Sequence, residues 1–349
     1  MVDIAISNLS NQIAETANND MLAIDDVSAG ETKKIPFESL LGGNALINQD
    51  FSIWQENTTF TNPANDVYTA DGYYVQTSAG GGTLPTVNVK KNTTVHEDAF
   101  SQSMELEITN VGATGATRAY YVVQKIEDFV KYRGKTVTFS LRVKSSTAMT
   151  TPDTRLTLYD GVSSADATIT SFTTTWTTYS VALDVGAAAS EMAIYFVLVS
   201  GAGVISSTGS IYIQWMKVEI GSVSTPLVPR GTGVELTLCQ RYYQKSYTQA
   251  VFPGAATAAG TAITYIEQAA NADHLMVMHI KLPVVMYYTP SITIYDIAGN
   301  AGKVTMAAGN NITGTATREN DAAISVYGTN GAANTTRHIE FQYVADTRL

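Results

Sequence analysis

From Thr136 to Val143 the chain alternates without a fault: Val137, Phe139, Leu141 and Val143 take every second position, and Thr136, Thr138, Ser140 and Arg142 fill the positions between. Successive side chains of an extended strand point to opposite faces, so such a run has one dry face and one wet face. Met104, Leu106 and Ile108 alternate with Glu105, Glu107 and Thr109 in the same way, and Tyr179, Val181 and Leu183 with Ser180, Ala182 and Asp184. Met192 to Val199 is apolar in both phases, as a strand covered on both sides must be. Ile211 to Ile220 supplies a closing strand. Gly80-Gly81-Gly82, Gly112, Gly115, Asp160-Gly161, Gly201 and Gly203 punctuate these runs as turns. Charged residues make up only 15% of the 349, against 26 glycines, a mix that suits short strands better than long salt-bridged helices. The reading is all-β, with a sandwich of two antiparallel sheets over residues 42–221.

The flanks differ. Residues 1–41 hold seven acids and two lysines, with turn clusters at Asn18-Asn19-Asp20 and from Asp25 to Thr32. A short strand is expected at Met21–Ile24, and Pro36 is placed to open a single helical turn. The segment is too small to make its own core, and we expect it to dock on another protein. Residues 222–233 read as a linker, with Pro226, Pro229, Gly231 and Gly233 close together. Residues 234–349 read as a second, smaller β domain. It opens with a helix expected over Val234–Gln249, on the spacing of Leu236, Cys239, Gln240 and Tyr243. Alternating strands follow around Met276–Leu282, Ile292–Ile294 and Ile339–Tyr343, with Pro283 and Pro290 at strand ends.

Several classes fall away on composition. The net charge of -10 offers no basic stripe for a nucleic acid. The single cysteine, Cys239, can form neither a disulfide framework nor a cysteine-based zinc cluster. No apolar run reaches the roughly 20 residues of a membrane span, and Met1-Val2-Asp3-Ile4 has no secretion-signal pattern. The expectation is a chain folded in a cytosol. The histidines His96, His274, His279 and His338 show no metal-ligand spacing. No nucleophile elbow or phosphate-binding glycine loop is present. Glu105 and Glu107 share one strand face and read as its wet side, not as a catalytic carboxylate pair.

Three stretches together resemble a known family. Asn44-Ala45-Leu46-Ile47-Asn48-Gln49-Asp50-Phe51-Ser52-Ile53-Trp54-Gln55 resembles the opening strand of carbohydrate-binding-module-like jelly rolls in tailed-phage fibre proteins. Tyr68-Thr69-Ala70-Asp71-Gly72-Tyr73 is similar to a Tyr-Thr-Ala-Asp-Arg-Trp element of those proteins, with Gly72-Tyr73 in place of Arg-Trp. Ile211 to Ser222 looks like their closing strand, and Ser224 to Arg230 with Glu235 to Tyr243 like a junction that recurs in phage tail proteins. Asp26 to Ile35, Leu282 to Ile294 and Tyr343 to Leu349 extend the resemblance to both ends.

The resemblance implies a jelly-roll sandwich in a virion structural or adhesive protein, assembled in the bacterial cytoplasm and working as a homotrimer. We expect a non-enzymatic tail fibre or spike, attached to other virion proteins through residues 1–41 and contacting a host surface glycan or receptor. The alternatives are a head-attached fibre or decoration protein and a polysaccharide-degrading tail spike. Apolar runs at Tyr120–Val123, Met192–Val199 and Val284–Tyr288 are candidates for subunit contacts. Sugars stack on aromatic faces, and Trp54, Tyr73, Tyr74 and Trp176 are the candidate platforms. The resemblance also implies a structural Ca2+ near Asp50 and Asp71. No other cofactor is expected.

Overall fold

The computed structural model describes residues 21–26, 31–36, 43–113, 118–265, 274–306, 311–317, 320–330 and 338–348. Among them, no helix is long and apolar enough to cross a membrane. Strands β1 (Met21–Asp26) and β2 (Glu31–Pro36) pair antiparallel. The strand expected from Met21 is there. Asp25, Asp26, Glu31 and Thr32, read as turn residues, belong to the strands, and Pro36 closes β2 instead of opening a helical turn. A proline at a strand end costs little pairing. The rest of residues 1–41 lies outside the described residues.

Twelve strands follow in two six-stranded sheets. In chain order they are β3 (Thr59–Phe60), β4 (Val67–Tyr68), β5 (Tyr74–Ser78), β6 (Thr86–Asn92), β7 (Ser103–Asn110), β8 (Ala119–Lys125), β9 (Thr136–Ser145), β10 (Met149–Tyr159), β11 (Ser164–Phe172), β12 (Thr177–Asp184), β13 (Ala193–Ser200) and β14 (Gly209–Ile220). Sheet I runs β11-β10-β13-β8-β5-β4, and sheet II runs β12-β9-β14-β7-β6-β3. All pairings are antiparallel and the chain passes repeatedly between the sheets, which is a jelly-roll sandwich. The alternating runs do what their period demands. Val137, Phe139, Leu141 and Val143 of β9 meet Leu156, Leu158, Ile194 and Phe196 of sheet I in one continuous core. Burying each such side chain contributes roughly 1.5–3 kcal/mol.

The segment 44–55 is not a strand but a chain of bends and turns. Its polar residues explain the shape. Asn48, in a left-handed conformation, donates from Nδ2 to the carbonyls of Ile53 (2.8 Å) and Asp71 (3.0 Å) and accepts the Ile53 amide at Oδ1 (2.9 Å). Asn44 reaches across to Met216 and Val218 of β14. These bonds give the turn its backbone partners from side chains, so no strand ladder is needed.

The expected helix is shorter than its pattern. Helix α1 spans Thr232–Gln240 and buries Glu235 and Cys239. Tyr243, expected on its face, instead opens β15 (Tyr243–Lys245), because the weak helix formers of this stretch find an antiparallel partner in the last strand. The C-terminal sheet also contains β16 (Ala262–Tyr265), β17 (His274–Lys281), β18 (Ser291–Tyr295), β19 (Lys303–Met306), β20 (Asn311–Thr317), β21 (Ala323–Asn330) and β22 (His338–Asp346). β22 is its spine, pairing with β15, β16, β18 and β19. Ile339, Phe341 and Tyr343 of β22 enter a second core with Ile294, Val304, Met306, Ile324 and Val326. The fold is all-β: a jelly-roll sandwich followed by a smaller C-terminal β domain.

Candidate functional site

Sheet I carries its core on one phase and tyrosine on the other. Leu156, Leu158, Ile194, Phe196, Tyr120, Val122 and Val75 point inward. The intervening positions put Tyr159, Tyr195, Tyr121 and Tyr74 on the outer face, and Tyr68 joins them at the edge through its pairing with Tyr74. The ring of Tyr195 lies 5.9 Å from that of Tyr121 and 6.5 Å from that of Tyr159, both edge-on, and Tyr68 and Tyr74 are 5.3 Å apart. Val123 pairs with both Tyr74 and Tyr195, so it stands between them in one cross-sheet row. It faces outward yet is fully buried, a burial that the phenols on either side supply. The apolar double phase of Tyr120–Val123 and Met192–Val199 is thus accommodated within one chain: the inner phase fills the core and the outer phase lies under tyrosine.

A cavity of about 370 Å³ opens on this face, lined by Asp66, Tyr68, Tyr74, Gln76, Lys125, Glu191 and Tyr195. It is within the size range of small-ligand sites. A second cavity, about 140 Å³, shares Tyr68, Tyr74 and Lys125 and ends against Leu238, Arg241, Tyr242 and Arg348. Together they form one groove from the outer face of sheet I to the C-terminal domain. Burial pushes the Tyr74 phenol well above its usual range, and the fields of Tyr195, Tyr68, Asp66 and Glu191 push the same way. Tyr68 rises to about 12, mainly through burial, with Arg348 pulling it back. Burial and then Glu191 raise Tyr195. These phenols stay neutral and can both donate and accept hydrogen bonds. Tyr74 is buried and Tyr68 and Tyr195 half-buried, so parts of their rings border the cavity, and Gln76, Lys125, Asp66 and Glu191 ring them with polar groups. That combination suits a ligand with one apolar face and a hydroxylated edge, which describes a pyranose.

The four candidate platforms do not come together. Trp54 is buried, and its Nε1 donates to the Phe51 carbonyl at 2.7 Å. Tyr73 is wholly buried with its ring 5.0 Å from that of Phe51. Neither can present a face to a sugar, because both fill the sandwich core. Tyr74, one residue on and in the opposite phase, lines the groove. Trp176 lies beyond the other sheet, with the Lys144 ammonium 5.1 Å from its ring centroid. Tyr68, Tyr121, Tyr159 and Tyr195 were not singled out by sequence. A signal existed for three of them: Tyr121, Tyr159 and Tyr195 each sit one position out of step with a core residue, as Tyr195 does between Ile194 and Phe196.

Asp50 and Asp71 do not form a calcium pair. The Asp71 carboxylate accepts the Gln55 amide (2.8 Å) and Gln55 Nε2 (2.6 Å), while Asp50 accepts the Ser52 amide (3.2 Å). Among the described residues, no group of three or more His, Cys, Asp or Glu side chains is placed to hold a metal ion. Gly72 follows Asp71 at φ +83°, a backbone conformation that strains any L side chain, and a Cβ there would press on the Ile47 and Gln124 side chains at 2.8–2.9 Å.

The same region locks the two domains. Gln55 Nε2 also donates to the Tyr243 carbonyl (2.8 Å), and Lys245 Nζ to that of Gln55 (2.9 Å). Burial lowers the Lys245 ammonium to about 8. Arg348 pairs with Glu56 and Asp346 and lies between the rings of Tyr68 (4.5 Å) and Tyr243 (4.4 Å). Arg241 and Tyr242 both bond Glu127. The residues that carry the fibre resemblance at 44–55, 68–73 and 235–243 are therefore largely this lock.

No protein-family model matches the sequence, and no curated protein matches it. Similar solved structures include the enzymatically active domain of tailspike protein 4 from bacteriophage CBA120, at 19% identity and TM-score 0.35, covering 51% of this chain and 21% of that one. The alignment thus spans about a fifth of the tailspike domain. A family 11 carbohydrate-binding module from Clostridium thermocellum, in complex with a mixed-linked tetrasaccharide, is similar at 13% identity and TM-score 0.29, covering 48% of this chain and 98% of that one. A cyclase from Fischerella sp. TAU is similar at 11% identity and TM-score 0.37, covering 51% and 96%.

Proposed function

We propose that this chain binds glycan on the outer face of sheet I and acts as a non-enzymatic adhesive protein of a tailed-phage virion, a tail fibre or spike contacting the host surface. The carrying observation is the groove itself: Tyr68, Tyr74 and Tyr195 gathered around a cavity of about 370 Å³ with Asp66, Gln76, Lys125 and Glu191 at its rim. The virion placement, tail rather than head, rests on the resemblance of the quoted motifs to fibre proteins. Under this reading residues 1–41 attach the chain to other virion proteins, the working form is a homotrimer, and the chain folds in the host cytoplasm. Binding is tested by titrating the full chain with host surface polysaccharide. Retention lost in Tyr74→Ala and Tyr195→Ala supports the reading, and retention unchanged in both overturns it. Placement is tested by labelled antibody on particles.

A second reading is kept open by one observation: Asp66 and Glu191 line the same cavity, as two carboxylates do in glycoside hydrolysis. A catalytic acid needs a site that excludes water, whereas Asp66 is exposed on an open face, which favours binding. Release of reducing ends from host polysaccharide, abolished by Glu191→Gln, would reverse the preference.

A further inference from the structure

We infer that the outer-face cavity takes a sugar bearing a free ammonium group, seated against Tyr74 and Tyr195 between Asp66 and Glu191. The inference rests on the glycan-binding reading and names its ligand class. Three charged groups line this cavity: Asp66, Glu191 and Lys125. Among the described residues none of them has an ion-pair partner. Asp66 accepts only from its neighbour Asn65 (2.6 Å). Two carboxylates against one ammonium leave the cavity negative, and Lys125 stands where it joins the smaller cavity, away from any compensating contact with either acid.

The aromatic groups add to the same sign. The face of a phenol ring is the negative end of its quadrupole and attracts cations that are shed of water. The fields of Asp66 and Glu191 reach the Tyr74 hydroxyl, so acids and rings act on one volume. Carboxylates only accept hydrogen bonds, and an ammonium brings three donors. A carboxylated sugar would place a third anion beside Asp66 and Glu191. A neutral sugar would leave both charges uncompensated when it displaces water. An amino sugar meets the apolar faces with its ring and the carboxylates with its cation.

The test compares oligosaccharides of glucosamine with the matching N-acetylglucosamine oligosaccharides, in which an acetyl group on the nitrogen removes its charge. Both are titrated against the full chain at low salt and at a pH where the free amine is protonated. We expect the free-amine series to bind about tenfold tighter or more. Glu191→Gln and Asp66→Asn should each abolish that preference, read as the ratio of the two affinities. Asp66 has a left-handed backbone, φ 62°, which asparagine adopts readily, so the second variant keeps the turn. Equal affinity for the two series, or a preference that survives both variants, overturns the inference and leaves the glycan reading standing. Failure of both series and of host polysaccharide overturns the glycan reading, and the inference with it.

Discussion

The two outer faces of the sandwich are built from the same alternation and end up chemically opposite. On sheet II every carboxylate of the outer face described here has a partner. Glu107 meets Lys90 at 2.6 Å, Glu97 meets Arg142 at 2.7 Å, and Glu105 accepts from Ser210 and Asn92. Lys217 and Glu219 pair at 2.8 Å, nearly fully buried, under the linker, where the Thr225 amide donates to Glu219 at 2.8 Å. On sheet I phenols gather from β13 to β4; Asp166, at the far edge of that face, pairs with Arg155 at 3.6 Å, whereas Asp66 and Glu191 face a cavity. Period two decides which residues face out. What the outer face can do depends on which of its polar groups the protein leaves without partners.

The contrast is broken most directly at the phenols. Tyr74→Ala and Tyr195→Ala should each weaken glycan binding by about 100-fold, the scale of a central aromatic anchor. Arg142→Ala on the opposite face should leave affinity within about twofold. Calorimetric titration of the three variants checks this. If Arg142→Ala weakens binding as much as the tyrosine variants, the ligand does not distinguish the faces.

The next effect lies where the groove meets the C-terminal domain. Arg348→Ala removes a guanidinium that two carboxylates and two tyrosines share. Leaving Glu56 and Asp346 unpaired should cost about 2 kcal/mol in denaturant unfolding. It also removes the guanidinium that packs on the Tyr68 ring, so affinity should drop a few-fold. Unchanged stability would mean that the clamp is not what holds this end of the chain.

Much of the fold was legible because period two reports burial on one strand at a time. The strands around Val137, Leu106 and Val181 lie where alternation put them, and the closing strand lies at Gly209–Ile220. Turn-forming side chains were harder to read. Asn48, Gln55 and Asp71 take backbone partners up to 188 residues away, and no local pattern encodes that reach. The helix was over-extended for a related reason: Tyr243 belongs to a strand whose partner, Asp346, lies at the far end of the chain. The site was legible only in part. Trp54 and Tyr73 were candidates as aromatics, whereas phase within β8 and β13 separates the buried Tyr120 from the outward Tyr121 and Tyr195.

A third region separates burial from pairing. Asp71 is buried, like the pair on sheet II, but lacks a cation in contact. Burial raises its carboxyl to about 6, and hydrogen bonds from Gln55 only partly oppose the rise. A carboxyl raised above its unfolded value of about 3.9 contributes stability below that pH, and the contribution is lost as pH climbs through 6. Between pH 7 and pH 5 the natural chain should therefore gain about 1 kcal/mol relative to Asp71→Asn. Unfolding of both proteins across that range checks the sign. A constant difference would show that Asp71 does not titrate there.

The smallest effect lies at Trp176 and Tyr212, two large aromatics on the wet side of sheet II. Trp176 is half-buried, and Lys144 lies 5.1 Å from its ring and 6.0 Å from that of Tyr212. A cation held between two rings already occupies the faces that a sugar would need. Lys144→Ala should cost only about 0.5 kcal/mol, the value of an exposed cation–π contact. Its effect on glycan affinity should be nil, because removing the lysine uncovers a ring on a face whose acids are all paired. Trp176→Ala should likewise leave binding within about twofold of the natural chain, by the same reasoning as for a contact outside the anchor region. Glycan binding strengthened by Lys144→Ala and abolished by Trp176→Ala would move the ligand to sheet II.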